Sequence, residues 1–470
     1  MDYINKNICA LATPQGCGAI GIIRLSGEDT LQIIEKIFIP AKKNTPAEPY
    51  KMRYGAIKDA SRLIDECLVA TFASPHSYTG ENSAEIYCHG SQYIISEIIK
   101  LLFKHGVKLA DPGEFSKRAF LNGKLDLAQA EAVADLIASE TEASHRIAIQ
   151  QMKGGFSNEL KTMREELLNL VSLMELELDF SEEDVEFADR NKLAFLLTGV
   201  SNKVSQLIDS FSLGNVIKNG VPVAIVGATN TGKSTLLNAL VGEEKAIVSN
   251  IHGTTRDTIE DTINLGGITF RFIDTAGIRD TKETIEIIGI ERTYKKLKQA
   301  SVVILVLDAT RRENFDDGIK NLASHFNPTK QKLIILINKI DSVESNNTLP
   351  LIKEVEKACN EFNISPISIL PISAKEKKNL EPLENLLIET QKDINRDSNA
   401  TLVTNVRHYQ ALIDAQAALY RAEDALKERV PSDLVAQDIR EAMHYLGSIV
   451  GEINTEEVLG NIFGRFCIGK

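Results

Sequence analysis

The stretch Gly227-Ala-Thr-Asn-Thr-Gly-Lys-Ser234 decides the fold of this 470-residue chain. It has the pattern G-x-x-x-x-G-K-S and directly follows the apolar run Val221-Pro-Val-Ala-Ile-Val226. Strong helix formers come next and end at Gly242. This order predicts a phosphate-binding loop between a strand and a helix. Its backbone N–H groups would surround the phosphates, Lys233 would reach the terminal phosphate, and Ser234 would bind Mg²⁺.

The pattern around this loop predicts a doubly wound, mostly parallel sheet. Short β-branched runs at residues 221–226, 268–273, 302–307, 333–337 and 367–370 alternate with helical patterns. The chain is helical on both sides of this region. One apolar helix face before it is predicted to contain Leu193, Leu196, Val200, Val204, Leu207 and Phe211. Because the two helical regions have the same character, we predict that the α/β domain is inserted into one helical domain.

The residues before the first helical region mix strand and helix patterns and predict an α+β domain. The chain is long enough for about three domains. We predict an α+β domain at 1–120, the helical domain at 121–215 and 381–470, and a Ras-like P-loop domain at 216–380. The fold class is therefore multidomain, α/β plus α.

Four further motifs follow in the order typical of a GTPase. Gly253-Thr-Thr-Arg-Asp257 and Asp274-Thr-Ala-Gly277 would contact Mg²⁺ and the γ-phosphate. Asn338-Lys-Ile-Asp341 follows a strand, and its carboxylate can accept from both the ring N–H and the amine of guanine, which adenine lacks. Ser373-Ala-Lys375 would donate to the guanine oxygen. The predicted GTP contacts are Asn230, Thr231, Gly232, Lys233, Ser234, Thr235, Ser249, Asn250, Ile251, His252, Gly253, Thr254, Thr255, Asp274, Thr275, Ala276, Gly277, Asn338, Lys339, Ile340, Asp341, Ser373, Ala374 and Lys375.

The catalytic residues are less usual than the binding residues. Ras-like proteins have a water-orienting glutamine after the D-T-A-G motif, where this chain has Ile278. Spacing alone leaves Glu283 and Glu286 as candidates to orient the attacking water. The positive charge that the transition state needs could come from Arg256, from Arg279 or from a monovalent cation. Such a cation could bind the side-chain oxygen of Asn230.

Composition limits the class of protein and its partners. The net charge of −12 disfavours long-range attraction to nucleic acid, so RNA contacts would need a local basic patch or a partner. The apolar runs are far shorter than the ~20 residues that span a bilayer, and the first residues do not resemble a signal peptide. We therefore expect a cytoplasmic protein with no membrane partner. Six dispersed cysteines argue against a disulfide framework or a zinc site.

The combination resembles the MnmE (TrmE) family of GTPases that modify uridine C5 in tRNA. The resemblance covers the whole chain, and its most specific parts are Pro112-Gly-Glu-Phe-Ser-Lys-Arg-Ala-Phe-Leu-Asn-Gly-Lys124-Leu-Asp-Leu-Ala-Gln-Ala-Glu131 and the terminal Phe466-Cys-Ile-Gly-Lys470. It implies a homodimer whose N-terminal domain holds 5-formyl-tetrahydrofolate or a related tetrahydrofolate. The matching folate positions are Arg24, Glu85, Lys124 and Lys470, and Cys467 matches the tail placed at the one-carbon site. Charge alone would make these charged side chains ordinary surface residues.

For the GTPase, the resemblance implies dependence on K⁺ in place of an arginine finger. The matching K⁺ positions are Asn230, Ser249, Ile251 and Thr254, and the Mg²⁺ positions are Ser234 and Thr255. The catalytic glutamate aligns with Glu286, because Glu286-Ile-Ile-Gly-Ile-Glu-Arg292 matches the family's E-x-x-G-I-x-R. Two positions depart from the family: His252 stands where a small residue or proline is usual, and Ser249 where threonine is usual. Neither change removes a K⁺ ligand, because Ser249 keeps a side-chain oxygen and the ligand at Ile251 is a backbone oxygen.

The resemblance also implies what the chain does. It predicts a GTPase that acts with an FAD-dependent MnmG (GidA) partner, in a heterotetrameric or larger complex, to add a carboxymethylaminomethyl or aminomethyl group at C5 of the wobble uridine of certain tRNAs. GTP hydrolysis would drive association and movement of the G domains. The alternative is a ribosome-assembly GTPase without modification activity. Such proteins usually carry an RNA-binding module with a G-x-x-G loop, which the amphipathic tail lacks.

Overall fold

The computed structural model describes most of the chain, which forms two compact units. The described residues are 6–42, 48–179, 190–245, 261–273, 297–343, 348–391, 401–452 and 456–464, with Phe466, Cys467 and Gly469. We term the units the N-terminal/helical unit and the α/β unit. The first comprises Met1–Ile137, Ile149–Asn202 and Ala411–Lys470, and the second comprises Ala138–Ala148 and Lys203–Gln410.

A mostly antiparallel sheet forms the first part of the N-terminal/helical unit. Its strands are β1 (Ile8–Leu11), β2 (Ile20–Ser26), β3 (Phe38–Pro40), β4 (Met52–Asp59), β5 (Arg62–Phe72), β6 (Ser83–His89) and β7 (Lys108–Leu109). Their order is β3-β4-β5-β6-β2-β1-β7, and only the β1–β7 pair among these described strands is parallel. Helices α1 (Thr30–Ile37) and α2 (Gln92–Lys104) bury Ile34 and Ile98 against this sheet. The predicted α+β fold of the first domain is confirmed.

The chain becomes helical after this sheet, as predicted. The helices are α3 (Glu114–Leu121), α4 (Leu127–Ala138), α5 (Glu142–Met152), α6 (Gly155–Asp179) and α7 (Arg190–Asn219). One detail of the predicted apolar face of α7 is wrong, because Leu196 is 38% exposed and Leu197 is fully buried. Leu193, Leu197, Val200, Val204 and Leu207 form the buried stripe, which alternates steps of four and three residues.

The α/β unit contains the second sheet. Its elements are β8 (Val221–Val226), α8 (Lys233–Lys245), β9 (Asp261–Leu265), β10 (Ile268–Ile273), β11 (Val302–Asp308), α9 (Phe315–Ala323), β12 (Lys332–Asn338), α10 (Thr348–Glu361), β13 (Ser368–Pro371) and α11 (Leu380–Glu389). The strand order is β13-β12-β11-β8-β10-β9, and every described neighbouring pair is parallel except β9 with β10. Gly242 interrupts α8 with φ 19° and ψ 146°, at the predicted stop.

Helices cover both faces of this sheet, which confirms the doubly wound architecture. Leu237 of α8 and Leu383 of α11 are buried on one face. Ile319 of α9 and Val355 of α10 are buried on the other. Burial of each such side chain stabilises the fold by about 1.5–3 kcal/mol relative to exposure. Because α11 belongs to this core, the α/β unit extends beyond residue 380; the exact domain boundaries stay predictions.

The helical regions before and after the α/β sheet belong together. After the sheet come α12 (Val406–Lys427), α13 (Ser432–Val450) and α14 (Glu456–Phe463). Helix α13 packs along α6, and Arg164 of α6 donates from Nε to the carbonyl oxygen of Met443 at 3.2 Å. This contact confirms the predicted insertion of the α/β domain. None of the described helices is both long and apolar enough to cross a membrane.

Candidate functional site: a nucleotide site and an N-terminal site

The predicted phosphate loop lies at the carboxyl edge of the second sheet. Gly227 has φ +148° and Gly232 has φ +97°, and Asn230 between them has the left-handed φ of +62°. A Cβ atom on Gly227 would lie 2.3 Å from the carbonyl oxygen of Val306, and one on Gly232 would lie 2.2 Å from Asn338 Nδ2. Only glycine fits at these two positions, because the loop presses directly on its neighbouring strands. The loop leads directly into the N-terminus of α8, whose backbone N–H groups could bind a nucleotide's phosphates.

Lys233 begins α8 and turns back over the loop. Its Nζ donates to the carbonyl oxygens of Gly227 at 2.9 Å and Ala228 at 2.7 Å. Burial lowers the pKa of Lys233. Ser234 is half-buried at the same helix end, and Thr235 beside it is exposed. The ammonium group thus lies next to the backbone that is predicted to bind phosphate, and its contact with the terminal phosphate stays a prediction.

Asn338 joins the phosphate loop to the base-recognition segments. It ends β12 and is 2% exposed. Its Nδ2 donates to the carbonyl oxygen of Thr231 at 2.8 Å, and its Oδ1 accepts from the backbone N–H of Ala374 at 3.0 Å. One buried amide therefore fixes three of the predicted motifs relative to one another.

Lys339 has a partner that sequence reasoning missed. Its Nζ donates to the carbonyl oxygen of Asn230 at 2.6 Å and to Asp308 Oδ2 at 2.7 Å. Asp308 Oδ1 also accepts from the backbone N–H and the hydroxyl of Thr310. Burial opposes ionisation of Asp308, but the hydrogen bonds from Lys339 and Thr310 outweigh it and lower the pKa. The signal available in the sequence was an acidic residue at the end of the apolar run 302–307.

Two serine hydroxyls hold the carboxylate of Asp341, the residue predicted to recognise guanine. Its Oδ1 accepts from the Ser373 hydroxyl at 2.6 Å, and its Oδ2 accepts from the Ser342 hydroxyl at 3.2 Å. The Ser373 bond is the main cause of the lowered pKa of Asp341. Asp341 is exposed, whereas Ser373 is buried, and Ile340 and Lys375 flank them. The carboxylate is therefore ionised, oriented and accessible, as guanine recognition requires.

Several predicted residues of this site lie outside the described part of the chain. They are Ser249, Asn250, Ile251, His252, Gly253, Thr254 and Thr255, then Asp274, Thr275, Ala276 and Gly277. The catalytic candidates Arg256, Ile278, Arg279, Glu283 and Glu286 also lie outside it. Their roles stay predictions.

The predicted folate residues are partly brought together in the N-terminal/helical unit. Arg24 on β2 lies opposite Glu85 on β6, and Arg24 Nε donates to Glu85 Oε1 at 3.0 Å. The Arg24 guanidinium also lies 5.6 Å from the ring centre of Tyr78 and 5.9 Å from that of Phe115. Tyr87 donates to Glu85 at 2.6 Å, and this bond raises the pKa of Tyr87 to about 12.

The C-terminal tail lies at the same place. Arg24 Nη1 donates to the carbonyl oxygen of Gly469 at 3.5 Å, and the Gly113 N–H donates to that of Cys467 at 3.5 Å. Cys467 is exposed. Lys124 is tied instead to the loop that carries Tyr78, through the carbonyl oxygen of Pro75 at 3.1 Å. Lys470 lies outside the described residues.

The P-loop on a doubly wound sheet, with Asp341 fixed beside it, defines a GTP-binding protein of the P-loop GTPase class. The profile "GTP-binding protein TrmE N-terminus" matches residues 7–124, and "MnmE helical domain" matches residues 127–467. The chain belongs to the MnmE family of tRNA modification GTPases.

Full-length relatives agree with this assignment. The "tRNA modification GTPase MnmE" of Bacteroides thetaiotaomicron is 51% identical over 468 residues, covering 98% of this chain and 99% of that protein. The protein of the same name from Flavobacterium johnsoniae is 50% identical over 475 residues, covering 99% of this chain and all of that protein. The chain is thus a GTP hydrolase of tRNA modification. This outcome favours tRNA modification over the ribosome-assembly alternative.

Proposed function

We propose that this GTPase depends on K⁺ and that the cation binds beside Asn230 in the phosphate loop. The observation that carries the proposal is the conformation of Asn230, which is left-handed and has its carbonyl oxygen fixed by Lys339. An amide side chain at this point of the loop offers a neutral oxygen next to the phosphates. A cation there would supply the positive charge that an arginine finger supplies in other GTPases. Ser249, Ile251 and Thr254 complete the proposed K⁺ ligands.

The remaining roles at the nucleotide follow the family motifs. Ser234 and Thr255 would hold Mg²⁺, which would neutralise charge on the phosphates. Glu286 would orient the attacking water, since Ile278 has no polar group for it. Asp341 would select guanine, and Ser373, Ala374 and Lys375 would surround the base. K⁺ binding would accompany dimerisation of the G domains during hydrolysis.

The first experiment compares GTP turnover in K⁺ and Na⁺ buffers at equal ionic strength. We expect a large excess of activity in K⁺, and Asn230→Ala should abolish that excess. Asn321→Ala, on the exposed surface of α9, is the matched control and should retain it. Equal rates of GTP turnover by the wild type in the two buffers would contradict the proposal.

The second experiment tests the catalytic assignment of Glu286. Glu286→Ala should abolish hydrolysis and leave GTP binding nearly intact, because the carboxylate acts on water and not on the nucleotide. Binding of a fluorescent GTP analogue and phosphate release are measured on the same sample. A parallel loss of binding would assign Glu286 a structural role.

We infer that the N-terminal site binds a tetrahydrofolate such as 5-formyl-tetrahydrofolate. Arg24 and Lys124 are cations suited to folate carboxylates, and Glu85 could accept from the pterin ring. The Arg24 contact with Gly469 supports a tail role for Cys467 and Lys470 at this site. Arg24→Gln should weaken folate binding measured by calorimetry. Arg62→Gln, in an exposed ion pair of the same sheet, should not.

The cellular role proposed is addition of a carboxymethylaminomethyl or aminomethyl group at C5 of wobble uridine. The chain would act as a cytoplasmic homodimer with an FAD-dependent MnmG-type partner and tRNA. Mass spectrometry of wobble nucleosides from cells that lack the gene tests this role. Loss of the C5 modification is expected, and normal wobble uridine with defective ribosomal subunits would contradict it.

A further inference from the structure

Asp308 and Lys339 form a partly buried connection between the sheet and the phosphate loop. Strands β11 and β12 run parallel, with Asp308 directly opposite Asn338. Lys339 therefore leaves the sheet beside the Asp308 carboxylate, and its own φ is the left-handed +67°. The side chain of Asp308 is only 5% exposed, whereas that of Lys339 is 35% exposed. The carboxylate is the fixed partner of this pair.

The two oxygens of the Asp308 carboxylate accept hydrogen bonds from different partners. Oδ1 accepts two hydrogen bonds from Thr310, which anchor it to the turn after β11. Oδ2 accepts from the Lys339 ammonium at 2.7 Å. Holding a long lysine side chain in one conformation costs rotamer entropy. The charged hydrogen bond from the anchored Asp308 carboxylate offsets this cost and keeps the ammonium in one place.

The ammonium in turn reaches the phosphate loop. Lys339 Nζ donates to the carbonyl oxygen of Asn230 at 2.6 Å, and Asn230 has the left-handed φ of +62°. A non-glycine residue in that region costs energy, so an external hydrogen bond that favours it matters for the loop. Asn338 holds the next residue of the loop, Thr231, by a separate bond. Within the described residues, Lys339 is the side chain that holds the Asn230 carbonyl oxygen, and its own partner Asp308 lies outside the nucleotide motifs. A substitution of Asp308 can therefore weaken the Asn230 contact without changing a motif residue.

We propose that Asp308 is a positioning residue for nucleotide binding, which acts by holding the Lys339 ammonium on the carbonyl oxygen of Asn230. Loss of its charge frees Lys339, loosens the loop at Asn230 and speeds nucleotide release. The alternative is a purely structural role, in which Asp308 only closes the turn with Thr310. The two roles differ in whether the effect of Asp308 requires Lys339.

A double-mutant cycle on the full-length protein distinguishes these roles. The dissociation rate of fluorescent GDP is measured in Na⁺ buffer for the wild type, Asp308→Asn, Lys339→Met and the double variant. Asp308→Asn keeps the shape of the side chain and should release GDP about tenfold faster, as expected when a hydrogen bond loses its charged acceptor. In the Lys339→Met background the same substitution should have almost no effect. An equal acceleration in both backgrounds, or none in either, overturns the proposal.

A stability control separates positioning from general loosening of the fold. Ile335→Val removes one methylene from a buried residue of β12 and leaves every polar contact intact. It should lower the melting temperature yet release GDP at the wild-type rate. If Ile335→Val speeds release as much as Asp308→Asn, the effect is one of stability and the proposal is wrong.

The K⁺ dependence of GTP hydrolysis provides a further test, which rests on the proposed function. If K⁺ binds at Asn230, Asp308→Asn should raise the K⁺ concentration that gives half-maximal GTPase activity, while the same change at an exposed acid, Asp316→Asn, should not. A wild type without K⁺ dependence contradicts the proposed function alone, because the GDP cycle in Na⁺ decides the role of Asp308 independently. A K⁺-dependent wild type whose half-maximal concentration is unchanged in Asp308→Asn overturns the link from Asp308 to the cation.

Discussion

Asp341 combines exposure with a fixed orientation, because the buried Ser373 hydroxyl donates to one of its oxygens. A carboxylate accepts from two guanine donors, whereas an asparagine would present one donor and one acceptor. Asp341→Asn should therefore weaken GTP binding about 100-fold and improve binding of xanthosine triphosphate, whose base has an oxygen in place of the guanine amine. Competition against fluorescent GDP measures both. Asp316→Asn is the control, and unchanged selectivity in Asp341→Asn would remove Asp341 from base recognition.

Asp308 gives the fold a defined dependence on pH. Burial raises its pKa, but the hydrogen bonds from Lys339 and Thr310 prevail and leave it below the ordinary value. A carboxyl group whose pKa is lower in the folded chain stabilises the fold above its unfolded pKa of about 3.9, and this contribution is lost as the pH falls through the folded pKa.

Asp308→Asn should thus lower the free energy of unfolding by about 2 kcal/mol at pH 7. The difference from the wild type should begin to shrink below about pH 4, where the carboxyl of the unfolded chain takes up a proton, and should be lost as the pH falls through the lower folded pKa. Urea unfolding at pH 7, 5 and 3 measures it. A difference that stays constant over this range would show that the charge of Asp308 contributes nothing.

At the scale of elements, two glycines with left-handed backbone conformation allow the packing of α14 on α3 to be measured. Gly113 and Gly123 flank α3, and both have φ +66°. A Cβ atom on Gly113 would lie 2.5 Å from the carbonyl oxygen of Phe463 in α14, whereas one on Gly123 meets no described atom within 4 Å. The same backbone strain thus occurs with and without a steric clash.

Gly123→Ala should cost about 1 kcal/mol from backbone strain alone. Gly113→Ala should cost about 3 kcal/mol, because α14 must also move away from α3. Urea unfolding measures both, with tryptic cleavage of the tail as a second readout. Equal losses of stability would mean that the packing of α14 on α3 contributes little.

Features that depend on local residue patterns were predictable from the sequence, and features that depend on tertiary packing were not. The phosphate loop, Gly242 as an interruption of α8 and the parallel strands follow from local residue types. The phase of α7 did not, since Leu196 and Leu197 are adjacent and identical, and only packing selects the second. Likewise, β9 has little local signal, and among the described strands it pairs with β10 alone, at the sheet edge.

The site followed the same division. The motif residues Asn338, Lys339 and Asp341 were predictable because their spacing is diagnostic. Asp308 was missed, because its role depends on the register that sets it opposite Asn338. The pairing of Arg24 with Glu85 depends in the same way on the register of β2 with β6.

At the scale of the molecule, the two units have separate hydrophobic cores. The α/β unit has cores on the two faces of its sheet, and the other unit has several, of which the largest at its first sheet lies against α1 and α2. A nucleotide that binds one unit stabilises that unit by about 4 kcal/mol at a thousandfold excess over Kd. Calorimetry of the full chain should therefore resolve two transitions, of which GDP raises only one. A single transition that moves as a whole would mean that the units unfold cooperatively.

The Lys233 ammonium donates to the carbonyl oxygens of Gly227 and Ala228. Phosphate binding would therefore exchange these hydrogen bonds for bonds to phosphate oxygens. An incoming phosphate would have to replace two existing acceptors, so its gain is only the difference between the two sets of bonds. We therefore expect inorganic phosphate by itself to bind the loop weakly. A guanine nucleotide would add the predicted contacts of its base at Asp341, so we expect the loop to favour a phosphate that is attached to guanine.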